Sequence, residues 1–163
     1  MLKDTMQEAL NEQMMAEMYS SNLYVAMAAY FDAQTLEGFA HWLKVQAKEE
    51  MGHAMKFYEH TKDRLGRVSV TAIDAPPAEW KSPLAAFEAV YAHECKVSAL
   101  IDRLLALAVK EKDPAVAAFL QWFVTEQVEE EAQADAIVQK LKMIGSASAA
   151  LIVLDAMLAK REG

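Results

Sequence analysis

Residues 67–82 read RVSVTAIDAPPAEWKS and separate two long helical patterns. The segment contains paired prolines and no apolar repeat at helical spacing, so we predict an irregular connection, apart from a few extended residues at 68–73. A helix of roughly 30 residues precedes it and is ~45 Å long. The connection could span ~53 Å if extended. It is therefore long enough to return along the whole preceding helix and to start the next helix parallel to it.

Helical periodicity on both sides of this crossover predicts four long helices and a short fifth one. The first helix has Asp4 or Thr5 as its N-cap candidate, and Gly66 is the expected C′ residue of the second. Ser82-Pro83 and Asp113-Pro114 each give an N-cap followed by proline at the first helical position. The predicted helices span residues 4–31, 36–65, 83–112, 114–145 and 148–160.

The connection lengths set the predicted topology. Only a few residues join the first helix to the second and the third to the fourth, so each pair must be antiparallel. Two antiparallel hairpins joined by one long crossover form an all-α four-helix bundle that differs from the simple up-down-up-down arrangement. We expect the 163 residues to form a single domain of this kind.

Each long helix has one stripe with the 3–4 spacing of a bundle seam, and each stripe is interrupted by polar residues near its middle. The stripes are Leu10, Met14, Glu17, Ser21, Tyr24, Ala28 and Phe31; Phe39, Leu43, Gln46, Glu50, His53 and Phe57; Leu84, Phe87, Tyr91, Glu94, Ser98, Ile101 and Leu105; Val116, Leu120, Phe123, Gln127, Glu130, Ala134, Ile137 and Leu141. Mid-length positions of antiparallel helices meet at one level, so the core is predicted to contain a polar site.

The residue types in this site indicate a metal centre. Buried carboxylates without cations would repel one another and cost several kcal/mol each. Several carboxylates with one imidazole suit iron or manganese. Four-helix bundles place a Glu from each of two helices and Glu-x-x-His motifs from the others around a metal pair. Glu50 and His53 form one such motif, whereas residues 127–130 supply Gln-x-x-Glu.

Over its whole length the chain resembles the haem-free ferritins of bacteria and archaea. The motifs that carry the resemblance are NEQMMAEMYSSNLY (11–24), EEMGHAMKF (49–57), HE (93–94) and FLQWFVTEQVEEE (119–131). The resemblance implies an iron-storage protein with a ferroxidase centre, which oxidises Fe(II) with O₂ or peroxide and stores Fe(III) as hydrated oxide. It implies that Glu17 and His53 bind the first iron, that Glu94 and Glu130 bind the second iron, and that Glu50 bridges the two. Gln127 is implied to lie beside the centre.

The resemblance also implies a third iron site formed by Glu49, Glu126 and Glu129 with Glu130 shared. The alternative is a solvated acidic helix face, which is the usual role of a run of glutamates. For Tyr24 two interpretations stay open: a phenol that hydrogen-bonds a ligand carboxylate and gives up an electron, or an aromatic core residue. We place Trp122 in the core.

Met51 falls where the haem-containing relatives carry their haem-ligating methionine, but the fourth helix lacks the Glu-x-x-His of those relatives. We therefore expect no haem. The remaining histidines, His41, His60 and His93, are expected at the surface or at the edge of the core.

The last helical segment, SAALIVLDAMLA (148–159), is apolar on nearly every side, which the surface of a monomer would not tolerate. We expect it to be buried in a homo-oligomer. The resemblance implies packing around the fourfold axes of a twenty-four-subunit shell. Asp155 interrupts the segment, which is also too short to span a bilayer.

The composition of the chain argues against some other classes of function. The formal net charge of −8 argues against nucleic acid as a partner. The single Cys95 can form no internal disulfide and the N-terminus shows no signal pattern, so we expect a cytoplasmic protein. The alternatives are a non-storage di-iron oxidase or peroxidase of the rubrerythrin kind and a bundle whose acids only specify register. Against the first alternative, this chain has no CxxC pair to hold the rubredoxin-type iron that would deliver electrons.

Overall fold

The computed structural model describes residues 2–163, which form five helices and no strand. The helices are α1 Asp4–Asp32, α2 Glu37–Asp63, α3 Pro83–Lys110, α4 Pro114–Ile144 and α5 Ser148–Leu158. The predicted bundle with a short fifth helix is confirmed, and the extended residues at 68–73 pair with no second strand. None of the described helices combines the length and the apolar character needed to cross a membrane.

The crossover returns along α1, as its length predicts. At the start of α1, the Arg67 amide donates to Gln7 Oε1 at 2.7 Å, and the Arg67 carbonyl accepts from Asn11 Nδ2 at 3.0 Å. At the end of α1, the ring of Trp80 packs edge-on against Tyr30 with centroids 5.4 Å apart. The third helix therefore starts beside the end of α1 and runs parallel to α2.

The N-cap of α1 differs from the prediction. The cap is Lys3, with extended backbone and no side-chain cap hydrogen bond, and Asp4 already belongs to the helix. Asp4 and Thr5 are therefore not the cap. Lys3 is held instead by Glu111, whose carboxylate and carbonyl oxygens accept from its ammonium at 3.0 and 2.8 Å. This contact fixes the entry to α1 from outside the helix.

The predicted caps of α3 and α4 are confirmed: the side chains of Ser82 and Asp113 each accept a backbone hydrogen bond at 3.1 Å from the residue three positions later. The end of α2 corrects the prediction for Gly66. Leu65 takes the left-handed conformation, with φ 58°, and the Gly66 amide donates to Thr61 O at 2.9 Å. This is a Schellman ending in which Leu65 is C′ and Gly66 follows it.

The predicted stripes of α1, α2 and α4 are buried at every position. The predicted α3 stripe is partly wrong, because Tyr91 is 36% exposed and Leu84, Ser98 and Leu105 are half-buried. The residues immediately before Tyr91, Ser98 and Leu105 are buried in their place: Val90, Val97 and Leu104. Phe87, Glu94 and Ile101 belong to both stripes. The helix is therefore rotated slightly about its axis relative to the prediction.

The core consists of two apolar clusters, one at each end of the bundle. One contains Phe31, Phe39 and Phe87 and receives Leu154 and Leu158 from α5. The other is built from the opposite helix ends, residues 2–14, 54–57, 97–108 and 116–123. Buried polar side chains lie between the two clusters, at the mid-length level that the interrupted stripes predict.

Helix α5 docks on the first turn of α2. The Phe39 amide donates to Asp155 Oδ1 at 3.0 Å, and a Cβ atom at Gly38 would lie 1.8 Å from the Asp155 carbonyl oxygen. Only glycine permits this approach. Two leucines of α5 are thus buried within the protomer, while Ile152, Val153 and Met157 are more than half exposed.

Candidate metal centre

Six of the predicted site residues are buried together between the two apolar clusters. Each is at most 5% exposed: Glu17, Glu50, His53, Glu94, Gln127 and Glu130. They come from all four long helices, because each helix carries its polar interruption near mid-length. The structure therefore brings these side chains to one level of the bundle.

Their metal-binding atoms form two groups that share one residue. Glu17, Glu50 and His53 each offer one atom, and these atoms all lie within 4.8 Å of one another. Glu50, Glu94 and Glu130 meet the same criterion. The arrangement is compatible with two adjacent cations and a Glu50 carboxylate between them.

Two glutamines support these carboxylates and were not predicted as site residues. Gln13 Nε2 donates to Glu17 Oε1 at 2.8 Å. Gln46 Nε2 donates to Glu50 Oε1 at 2.8 Å and to Glu130 Oε2 at 2.7 Å. Both glutamines lie four residues before a site glutamate on the same helix. That i, i+4 spacing is the sequence signal that could have identified them.

Glu94 is held from two sides. The fully buried phenol of Tyr24 donates a hydrogen bond to Glu94 Oε1. Gln127 Nε2 donates to Glu94 Oε2 at 3.2 Å and to its carbonyl oxygen at 3.3 Å. Tyr24 thus makes the contact with a site carboxylate that one of its two predicted roles requires. The partner, Glu94, lies on α3 and therefore comes from a different helix than Tyr24.

Glu17, Glu94 and Glu130 hold protons near neutral pH when no cation is bound. Burial, assisted by the charge of Glu50, raises the pKa of Glu17 and of Glu94 to about 8 and that of Glu130 to about 7. Burial opposes protonation of His53. The hydrogen bond and charge of Glu50, 3.0 Å away, outweigh it and raise the pKa of His53 to about 9.

Two atoms of this network have no hydrogen-bond partner in the described part of the chain: the buried Oε2 of Glu17 and the buried Oε1 of Gln46. A buried carboxylate oxygen without a partner is costly, and a cation between Glu17, Glu50 and His53 would supply that partner. Four carboxylates and one imidazole form an oxygen-rich set that suits iron or manganese. The residues present therefore fit a pair of such ions.

The three additional glutamates have different surroundings. Glu126 is half-buried, and its carboxylate forms a third group with His53 and Glu130 within 4.8 Å. Glu129 is exposed and belongs to none of the three groups. Glu49 Oε2 accepts a hydrogen bond from Arg161 Nη2 at 2.6 Å. The third iron site stays a prediction, with Glu126 the best placed of the three.

Other residues singled out in the sequence lie around the centre. Trp122 is 41% exposed, so its predicted core position is wrong, although its ring meets that of His53 edge-on at 5.4 Å. Lys56 Nζ lies 4.3 Å from the Trp122 ring centroid, and the charge of Lys56 favours a partly hydrated position for the indole.

Met51 is 39% exposed. His93 is half-buried, and burial lowers its pKa to about 4.

The chain forms a four-helix bundle whose core holds a carboxylate-rich cluster compatible with a pair of metal ions. Residues 7–144 match the Ferritin-like domain family. The chain is 47% identical to a bacterial non-heme ferritin of Bacteroides fragilis over 161 residues, covering 99% of this chain and all of that one. A bacterial non-heme ferritin of Staphylococcus saprophyticus is 43% identical, with 99% and 96% covered.

Among solved structures, the open-pore ferritin of the hyperthermophilic archaeon Archaeoglobus fulgidus superposes with a TM-score of 0.98. It is 51% identical, and the match covers 99% of this chain and 98% of that one. The chain belongs to the ferritin family.

Proposed function

We propose that this protein is an iron-storage ferritin that oxidises Fe(II) at a di-iron centre within each protomer. The observation that carries the proposal is the place of Glu50 in both groups, Glu17–Glu50–His53 and Glu50–Glu94–Glu130. A shared carboxylate sets two cations side by side, so that both can deliver an electron to one oxidant. Two Fe(II) ions supply the two electrons that reduce O₂ to peroxide, or peroxide to water.

The protein's own part in this reaction is to bind, orient and exchange protons. Glu17, Glu94 and Glu130 release the protons they hold near neutral pH as cations replace them. Tyr24 and Gln127 orient Glu94 through their hydrogen bonds. Burial and the neighbouring carboxylates raise the pKa of Tyr24, so its phenol stays protonated. From that position it can supply an electron to the reacting pair.

Oxidised iron then leaves through the acidic residues beside the pair. Glu126 adjoins His53 and Glu130, and we assign it, with Glu49 and Glu129, to a third iron site on the path to the mineral. These glutamates lie on α2 and α4, the two helices that also supply Glu50 and Glu130. The path therefore needs no residue from the other two long helices.

Storage requires a closed assembly, and we propose the cytoplasmic cage of twenty-four subunits that the family resemblance implies. The surface that supports assembly is the exposed apolar face of α5, formed by Ile152, Val153 and Met157. A continuous apolar face of this kind is stabilised by burial against another copy.

The double variant Glu50→Ala plus His53→Ala tests the centre. It removes the shared carboxylate and the only imidazole of the pair, so rapid Fe(II) oxidation should be lost while the helical content is retained. The matched control is Glu59→Ala plus Lys62→Ala, an exposed ion pair with the same spacing on the same helix. Stopped-flow absorbance after an O₂ pulse onto anaerobically loaded protein measures the rate. A wild-type rate in the double variant would contradict the di-iron assignment.

A second measurement separates storage from a rubrerythrin-like oxidase. Sedimentation after aerobic iron loading should show one very large particle that retains ferric iron through gel filtration. A dimer that consumes Fe(II) and retains none would support the non-storage enzyme.

A further inference from the structure

The C-terminal tail, residues 159–163, folds back from α5 onto α2 and is held there by Arg161. The guanidinium donates to the Trp42 carbonyl oxygen at 3.2 Å and lies 4.2 Å from the centroid of the Trp42 ring. The Arg161 carbonyl oxygen is 2.8 Å from His41 Nε2. The side chain is only 14% exposed. Arg161 is therefore a fixed element of this surface and cannot be treated as a mobile terminal charge.

The same guanidinium binds Glu49. Arg161 Nη2 donates to Glu49 Oε2 at 2.6 Å, a short, charge-assisted hydrogen bond. Glu126, in contrast, makes no hydrogen bond or ion pair with another described residue, although its carboxylate lies among possible metal ligands. Of these two predicted third-site residues, one is open to a cation and the other is already bound to a cation from the tail.

We propose that Arg161 competes with metal for Glu49, so that the C-terminal tail sets the affinity of the third cation. The inference rests on the proposed function, which places that cation beside His53, Glu126 and Glu130. A cation that binds Glu49 through Oε2, or through both oxygens, must displace the guanidinium, and a cation bound through Oε1 alone still shares the charge of the same carboxylate with Arg161. Arg161 is thus a positioning residue that acts through Glu49 and touches no reacting atom.

The contacts of Arg161 also predict how the exchange can be observed. Its guanidinium covers the face of Trp42, so release of Glu49 and movement of the arginine change the environment of that indole. The other tryptophans, Trp80 and Trp122, are replaced by Phe. Because Trp122 packs against His53, the two tight sites are first shown to bind Fe(II) normally in this background. In that background, Trp42 emission should change as the third equivalent of Fe(II) binds, and should be silent for the first two.

The test is anaerobic equilibrium dialysis of the assembled, metal-free protein against Fe(II) alone. Arg161→Gln removes the competing charge and should tighten the weakest of three sites about fivefold, the range of one partly exposed ion pair, without changing the two tighter sites. The matched control is Lys160→Gln, which removes an exposed charge from the neighbouring tail residue and should bind as wild type does.

Two further variants keep the test decisive if loss of Arg161 loosens the tail. Arg161→Lys keeps the charge but lacks the planar fork, so it should give an intermediate affinity. In a Glu49→Gln background, Arg161→Gln should have no further effect, because the competed carboxylate is absent.

The possible results separate the two proposals. One result is that two tight sites are present and that the third site binds Fe(II) equally in wild type, Arg161→Gln and Arg161→Lys. This result would overturn the role of the tail and would leave the ferroxidase centre unaffected. Absence of the two tight sites from the wild-type protein would contradict the proposed function itself.

Discussion

Gln46 of α2 and Glu130 of α4 are joined by a 2.7 Å hydrogen bond across the candidate metal centre. The same amide nitrogen donates to Glu50 at 2.8 Å, so one side chain holds two carboxylates that would otherwise repel each other. Gln46 therefore stabilises the centre before any cation arrives.

Replacing Gln46 with Met should lower the free energy of unfolding of the metal-free protein by about 1–2 kcal/mol, since two buried carboxylates lose a donor. The loss should be smaller with cations bound, because the cations then neutralise the same charges. Urea unfolding with and without a divalent metal measures both values. Gln139→Met is the control: this exposed glutamine donates to Asp135 at 2.9 Å, four residues away on α4, and its loss should be nearly neutral.

The stability of the metal-free protein should fall as pH rises from about 5 to about 9. The pKa values of Glu17 and Glu94 are raised by burial to about 8, and that of His53 is raised to about 9. A raised folded-state pKa means that the folded protein binds more protons than the unfolded chain in this window. The stability that each such group contributes is complete below its pKa in the unfolded chain. It is lost as pH rises through the pKa of the group in the folded protein.

Thermal unfolding followed by circular dichroism over that pH range measures the effect. The slope should be shallower in Glu17→Gln plus Glu94→Gln, where two of the titrating acids are replaced by neutral amides. With saturating metal the trend should reverse, because cation binding requires the deprotonated carboxylates. A metal-free protein with the same midpoint at both ends of the range would contradict the assigned shifts.

Gly38→Ala should displace α5 from the bundle. Its Cβ atom would lie 1.8 Å from the Asp155 carbonyl oxygen, and a backbone atom cannot move aside as a side chain can. We expect a loss of about 2 kcal/mol or more in the free energy of unfolding. Gly52→Ala, on the same helix with nothing within 4 Å of the added atom, should instead stabilise by about 0.5–1 kcal/mol.

The exposed face of α5 should control assembly. Val153→Gln plus Met157→Gln leaves Leu154 and Leu158 in the core but removes apolar surface that another copy would bury. The expected product is a folded, helical particle much smaller than the wild-type assembly, measured by sedimentation velocity. Val109→Gln plus Val128→Gln, at exposed valines outside α5, is the matched comparison. An unchanged mass in the α5 variant would show that this face is not an assembly surface.

Glu126→Ala should remove one Fe(II) site per subunit in anaerobic titration, because Glu126 is grouped with His53 and Glu130. Glu129→Ala, three residues away and exposed, should weaken that site less. The first two Fe(II) ions should oxidise almost as fast as in wild type in both variants. Equal site counts in all three proteins would assign the acidic run to a solvated face.

Much of the fold could be predicted because the signals were local. Proline after Ser82 and Asp113 marked two helix starts, and the length of the crossover fixed the chain direction. The prediction of the α3 face was partly wrong, since the buried residues Val90, Val97 and Leu104 lie one position before the predicted Tyr91, Ser98 and Leu105. Both sets have bundle spacing, so only packing against the other helices distinguishes them.

Prediction of the site was limited by contacts between distant parts of the chain. The interrupted stripes indicated that polar residues meet at one level, and they do. No local pattern indicated that Arg161 binds Glu49, which lies 112 positions earlier, because that contact depends on how α5 docks. The partner of Tyr24 was similarly hidden, since Glu94 is 70 positions away on another helix.

The crossover has a consequence for how the protein could be divided. It separates an α1–α2 hairpin, which supplies Glu17, Glu50 and His53, from an α3–α4 hairpin, which supplies Glu94 and Glu130. Residues 69–72 of the crossover are exposed. A chain cleaved there would become two fragments that each hold part of a ligand set, and a divalent ion would act as the cross-link that rejoins them. The protomer thus consists of two helical hairpins joined by one linker, and the candidate metal centre lies at the interface between them.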